Sequence, residues 1–127
     1  MNNKAFARRI KKFEKEARKI LRVVHRKVIP IKIESISRAG VAGFYSPYNN
    51  CIIISPFISE YSDKELRYVV WHEMGHAYFD SVEHKKGCPL MGEAPPRKIP
   101  AKSELERALK RSVAAWKKRY REIEDCM

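Results

Sequence analysis

The chain is short of most features that would place it in a class at sight. No stretch of about eighteen apolar residues occurs, so the sequence offers no membrane-spanning helix. The N-terminal MNNKAFARRIKKFEKEARK carries charges where a secretory leader needs its apolar core, and a soluble, cytoplasmic protein is the expectation. Cysteine is scarce: Cys51, Cys88 and Cys126 lie far apart and form no CxxC, which excludes a disulfide framework and a cysteine-built zinc site and leaves three ordinary thiols. Internal repeats and low-complexity tracts are lacking, as are helix-turn-helix, zinc-finger and aromatic RNA-binding signatures. Acidic residues are few, 15 against 27 Lys and Arg, for a net charge of +12. Such an excess favours anionic partners, nucleic acid or acidic proteins, through an attraction that salt screens, but it names none of them.

What is present belongs to a folded domain. Hydrophobic residues make up 44% and charged residues 33% of the 127 residues, a globular balance, and that length suits one domain over 1–127. From Lys4 to Val28 apolar residues recur at Phe6, Ile10, Phe13, Ala17, Ile20, Leu21, Val24 and Val28, the three-and-four spacing of one helix face, with cations on much of the remainder and Pro30 as the stop. A charge run of this kind usually just faces water. IKIESI (31–36) alternates as a half-buried strand does. Pro47, Asn49 and Asn50 are turn residues between Gly43-Phe44-Tyr45 and Cys51-Ile52-Ile53-Ile54, which predicts a hairpin closed by Pro56. Ser62 or Asp63 can cap a helix running into HEMGH at 72–76. Residues 85–101 hold two glycines and four prolines and read as irregular loop. Ser103 then looks like the cap of a last helix with a stripe of Leu105, Leu109, Val113, Trp116, Tyr120 and Ile123. The order helix, small sheet, helix, loop, helix makes an α+β fold.

HEMGH carries the chemistry. Residues four apart on a helix share a face with β-carbons about 5–6 Å apart, so His72 and His76 can aim ring nitrogens at one ion. Zinc fits, with imidazole bonds of about 2.0–2.1 Å. Glu73, about 100° round the helix, can reach a metal-bound water without itself ligating. Zinc brings the pKa of such a water to about 7, and a carboxylate can take its proton and pass it to a leaving nitrogen. A polar His-Glu-His among Val69, Val70, Trp71 and Ala77 would be costly to bury with nothing to satisfy it.

With HEMGH as signature and GFYSPYNNCIIIS (43–55) as the hairpin before the active helix, the sequence resembles the zincin metallopeptidases over roughly residues 31–92. The resemblance implies a zincin-like fold, a bound Zn2+, and peptide-bond hydrolysis by a zinc-activated water with Glu73 as general base. An endopeptidase is expected before an exopeptidase. Substrate would be laid as an added strand along a sheet edge, which by resemblance is Cys51 to Ser55. Tyr45, Tyr48 and Tyr78 are candidate donors to oxyanion or substrate, although tyrosines in a small core more often pack. In metzincins the motif extends to HExxHxxGxxH followed by a methionine turn. Here Phe79 and Val82 stand at the glycine and third-histidine positions, while His84 lies two residues further on and Cys88-Pro89-Leu90-Met91 resembles the methionine turn of compact metzincin-like or archaemetzincin-like proteins.

His84 is the first choice of third ligand. On a continued helix it would lie about 18 Å beyond His72, so the chain must leave the helix near Asp80-Ser81. A minimal gluzincin-like arrangement is the second choice, with Glu104 or Glu106 as ligand; Glu93 and Asp80 are further candidates, Asp80 either ligating or orienting His76. The expected function is therefore a zinc metallopeptidase acting on a peptide or protein substrate. Two alternatives stand beside it: a basic nucleic-acid-associated protein, and a metal-bearing interaction module without turnover.

Overall fold

The computed structural model describes residues 3–25, 27–37, 40–80, 84, 88–92 and 98–125, the stretch from 120 onward as backbone only. Among these the fold is α+β: helix α1 (Asn3–Leu21), strands β1 (Ile31–Ile33), β2 (Gly43–Ser46) and β3 (Cys51–Ile54), a 3-10 turn (Pro56–Glu60), helix α2 (Asp63–Tyr78) and helix α3 (Lys102–Asp125).

The apolar stripe of α1 is its core face: Phe6, Ile10, Phe13, Ala17 and Leu21 are each no more than 4% exposed. The helix nevertheless stops seven residues before Val28, the end expected from periodicity. Past Leu21 the chain runs through the paired β-branched residues Val23 and Val24, poor helix formers, and Val28 is 54% exposed while Ile29 enters the core at 1%. Ile29 is fixed there because its N–H donates to the Tyr78 hydroxyl at 3.4 Å.

The sheet has the order β1-β3-β2, with β1 parallel and β2 antiparallel to β3. This corrects the edge assignment: Cys51–Ile54 is the central strand, because residues 31–33 pair with its other side. The outer strand of the hairpin is β2. Its turn ends on Asn50 at φ +49, a left-handed conformation that Asn tolerates better than most residues.

Ser62 starts α2 with a complete capping box, its hydroxyl accepting from the Glu65 N–H at 3.2 Å while the Glu65 carboxylate accepts from the Ser62 N–H at 3.2 Å. Buried residues run along α2 from Leu66 to Tyr78 and include Trp71, Glu73, Gly75 and His76, so α2 is a central helix rather than a surface one. The Trp71 indole N–H donates to the Phe13 carbonyl at 2.9 Å, and Glu16 of α1 faces Arg67 of α2 at 3.6 Å and Lys102 of α3 at 3.5 Å. Three helices thus meet at one carboxylate. Helix α3 begins at Lys102, one residue before the expected cap Ser103, which lies inside its first turn. Leu105, Leu109 and Val113 join the same core as α1, β3 and α2, with Trp116 half-buried; Tyr120 and Ile123 fall outside the described side chains.

Candidate metal centre

Each residue of the site reaches it for a local reason. His72 and His76 sit one helical turn apart on α2, and the hairpin packs against the same helix, so Glu73 looks into the wall made by β2. Helix α2 ends at Tyr78, with Phe79 as cap and Asp80 at φ +47. A left-handed residue just past the end is the usual way a helix stops, and Asp fills here the place where glycine would be easiest. Asp80 is held in that conformation by the Tyr45 hydroxyl, which donates to its carboxylate at 2.9 Å. The chain thereby turns off the helix where the sequence requires it to if His84 is to come back.

His84 does come back. The ring centroids of His72 and His84 lie 5.5 Å apart, those of His76 and His84 5.0 Å, and those of His72 and His76 4.7 Å. One nitrogen from each ring falls within a sphere where all are within 4.8 Å of one another. The Nε2 atoms of His72 and His76 are 3.2 Å apart. Two nitrogens bound to one tetrahedral zinc at 2.0–2.1 Å would be about 3.3 Å apart, so the spacing is compatible with two ligands on one ion. His72 Nδ1 lies 2.6 Å from the Leu90 carbonyl, to which it donates; this fixes the tautomer and leaves Nε2 with its lone pair toward the cluster. Burial, with the neighbouring His76 and His84 rings adding to it and the Leu90 bond opposing it, holds the His72 pKa down to about 4. The ring is therefore neutral, as a ligand must be, throughout the physiological range.

Glu73 is 9% exposed. Burial raises its pKa to about 8 against a single opposing influence, a hydrogen bond from the Tyr45 backbone N–H. An adjacent cation would reverse this preference by stabilising the carboxylate. On one side of Glu73 a hollow of about 240 Å³ is lined by Phe44, Tyr45, His72, His76 and His84; on the other a hollow of about 250 Å³ is lined by Val41, Ala42, Tyr68, Val69 and Gly92, and both share Gly43. Gly43 admits no larger residue without movement: a Cβ there would stand 2.9 Å from the Ile53 carbonyl oxygen and 3.6 Å from Glu73 Cγ.

The other sequence candidates are placed elsewhere. Glu104 is exposed on α3 and Glu106 faces Lys102 at 3.8 Å; neither joins the histidine cluster, nor does Asp80, whose carboxylate takes the Tyr45 hydroxyl. Glu93 lies outside the described residues. Among the tyrosines, Tyr48 is fully exposed and Tyr78 accepts from Ile29, while Tyr45 enters the site through its backbone N–H rather than its phenol. Met91 is buried beneath the site, where a Cβ on Gly75 would come within 2.5 Å of its sulfur, and its N–H donates to Cys88 Sγ at 3.3 Å. Gly75 and the Leu90 carbonyl escaped the sequence reading. A glycine inside an otherwise helical pattern was the available sign of the first, since such a residue costs helix stability and needs a packing reason; no residue type announces the second.

Comparison with known protein families, with characterised proteins and with solved structures finds no match to this chain. The geometry stands alone.

Proposed function

We propose that the chain is a zinc-dependent endopeptidase of zincin-like design, with His72, His76 and His84 as the metal ligands and Glu73 as the general base. The observation that carries this reading is the meeting of three imidazoles, two of their nitrogens 3.2 Å apart, beside a buried carboxyl group. Histidine nitrogen is a donor that zinc favours, and three such ligands leave a fourth position open.

When bound, the ion supplies Lewis acidity toward a carbonyl oxygen and lowers the pKa of water. The protein's own groups do the rest. Leu90 holds the His72 ring by its Nδ1–H so that Nε2 stays available. Glu73 takes a proton on its carboxylate and returns it to the departing amide nitrogen, and the Tyr45 N–H keeps that carboxyl group in place. Beyond the pair Ser55 N–H to Ala42 C=O, alternation along the antiparallel ladder leaves the backbone of Gly43 and Tyr45 facing away from β3, toward Glu73. An extended polypeptide can align there by backbone pairing and pass through both hollows, with chain on either side of the scissile bond. Room on both sides is what favours cleavage within a chain.

The deciding experiment is metal analysis of the purified protein with digestion of an unfolded protein substrate, run on wild type, Glu73→Gln and His84→Ala. Wild type should hold one zinc and cut; Glu73→Gln should keep the zinc and not cut; His84→Ala should lose both. Full zinc content in His84→Ala would remove that ligand, and a zinc-loaded wild type inert toward every unfolded polypeptide would favour the module without turnover.

A second reading, binding of nucleic acid, is favoured by one observation. Lys4, Arg8, Lys11, Lys15 and Lys19 are all exposed on α1, recur at three- and four-residue spacing, and run about 22 Å opposite the core face. If each meets a phosphate, log affinity for duplex should fall with log salt at a slope near −0.9 per contact. No binding at low ionic strength would end it.

A further inference from the structure

The far edge of the sheet carries a second, separate feature. Strand β1 is an outer strand, and its parallel ladder to β3 is made through the Pro30 carbonyl, which accepts from Ile52 N–H at 2.9 Å, and the Glu34 N–H, which donates to the Ile54 carbonyl at 3.2 Å. Because backbone groups alternate sides along a strand, the N–H and C=O of the intervening Ile31 and Ile33 point away from β3. On this side Ile31 and Ile33 border a groove of about 490 Å³ whose other lining residues lie largely on α1. Ile10, Ile31, Ile33 and Pro30 give the groove an apolar lining, and Lys4, Arg8 and Lys11 give it a cationic rim. Among the described residues the one acid in its lining is Glu14, which accepts from Arg18 at 3.3 Å.

We propose that this groove is a docking site for an extended acidic peptide segment of a partner or substrate protein, added as a fourth strand beside β1. Three features select that occupant. Outward N–H and C=O groups at strand spacing require donors and acceptors in the same alternation, which a peptide backbone has and a phosphodiester chain lacks. An added strand places every second side chain on the face that Ile31 and Ile33 share, against α1, where carboxylates meet Arg8 and Lys11. Among the described residues the groove offers no aromatic face on which a base could stack. The volume lies within the range of sites that hold a specific ligand. The inference does not rest on the metal centre, which flanks the opposite edge.

The test uses the full chain carrying Glu73→Gln, so that no probe is cut, and a fluorescently labelled peptide of alternating valine and glutamate. Anisotropy at low ionic strength should show saturable binding. Reversing the rim with Arg8→Glu and Lys11→Glu should weaken it about tenfold, as should N-methylation of the peptide at every second amide in one of its two phases. Amide resonances of Ile31 and Ile33 should move on titration while those of Gly43 and Tyr45 stay. Absence of binding, equal affinity for both N-methylated phases and the parent peptide, or shifts confined to Gly43 and Tyr45 would each overturn the proposal. So would equal competition by an oligonucleotide of matched charge, which would reduce the groove to a patch of positive potential. The peptide phases and resonances need no variant of β1 and stand even if charge reversal harms folding.

Discussion

The two outer strands of the sheet make an instructive pair. Both β1 and β2 are short, and both leave alternate backbone groups unpaired by β3. Their surroundings are opposite. Beside β2 stand a buried carboxyl group and three imidazoles, all on or just after α2; beside β1 stands the cationic flank of α1. Backbone groups face away from β3 at each edge, although the Tyr45 N–H of β2 is already given to Glu73, and an extended chain is the ligand proposed for both. What differs is what happens to it: the β2 edge has groups that can move protons and hold a Lewis acid, whereas the β1 edge has fixed charges that can only attract. If both proposals hold, one sheet presents a place for chemistry and a place for holding, separated by a single central strand.

The contrast breaks most sharply at the metal. Structural zinc held by four protein ligands is worth about 10–16 kcal/mol, roughly 3–4 kcal/mol per ligand, so losing one histidine should cost on the order of several hundredfold in affinity. His72→Ala and His76→Ala should show that loss in competition with a chromogenic chelator. Arg8→Glu with Lys11→Glu, at the other edge, should leave zinc affinity within about twofold. Equal effects from both sets would mean that the histidines act only as part of general folding.

Next in size is the dependence of stability on pH in metal-free protein. Glu73 has its pKa raised from 4.5 to about 8 in the fold, so the native state binds the extra proton and stability falls as pH rises through that window. His72 has its pKa lowered from 6.5 to about 4, so the unfolded state binds the extra proton and stability rises with pH between those values. The two slopes oppose each other up to about pH 6.5, beyond which only the Glu73 loss remains. Each unit of displacement is worth about 1.4 kcal/mol. Urea titrations of metal-free protein should therefore show a decline of a kilocalorie or more from pH 6.5 to 8, on the order of 2 kcal/mol, and Glu73→Gln should abolish it and expose the opposite His72 slope below pH 6.5. Zinc should flatten the wild-type curve by favouring the carboxylate. At the β1 edge, burial also raises the Glu14 carboxyl above its usual value, so its contribution to stability has the same sign as that of Glu73.

A smaller effect separates the strands as solid objects. At Gly43 of β2 an added Cβ meets the Ile53 carbonyl at 2.9 Å and the Ile54 side chain at 2.8 Å, and a backbone oxygen cannot swing aside. Gly43→Ala should cost about 1–3 kcal/mol and push β2 away from Glu73, lowering hydrolysis more than zinc content. Ile33→Pro on β1 removes an N–H that points away from β3, which edge strands accept, together with the partly buried Ile33 side chain, so it should cost about 1 kcal/mol from lost packing and leave the fold intact. A cooperative loss of fold in the second variant and none in the first would reverse the picture of which edge is packed.

Much of this was readable from local rules. The i, i+4 histidines, the capping box at Ser62, the hairpin around Asn50 and the core stripe of α1 follow from helical spacing and turn chemistry, which act over a few residues. His84 as third ligand follows from the resemblance to the metzincin pattern, and helix length adds only that the chain must leave the helix for it to return, since a straight helix would carry it too far. What sequence could not give is long-range. That β1 pairs parallel to β3 decides which strand is central, and this depends on residues about twenty apart in the chain meeting through backbone groups that every residue carries. The Leu90 carbonyl on His72 is invisible for the same reason, and so is the end of α1 at Leu21, seven residues short of Val28, after which Ile29 rather than Val28 enters the core.

Asp80 is where local and long-range constraints coincide, and it supports the last comparison. Its left-handed conformation costs a residue with a Cβ about 1–2 kcal/mol, which the Tyr45 hydrogen bond partly offsets. Asp80→Gly removes both the strain and the bond, so its melting temperature should stay close to wild type. Asp80→Ala keeps the strain and loses the bond, and should be destabilised by about 1 kcal/mol relative to Asp80→Gly. If the turn at Asp80 is what delivers His84 to the other two rings, the glycine variant should retain more zinc affinity than the alanine variant, while peptide binding at the β1 groove should be the same in both. Identical zinc affinities would show that His84 finds its neighbours without help from this turn.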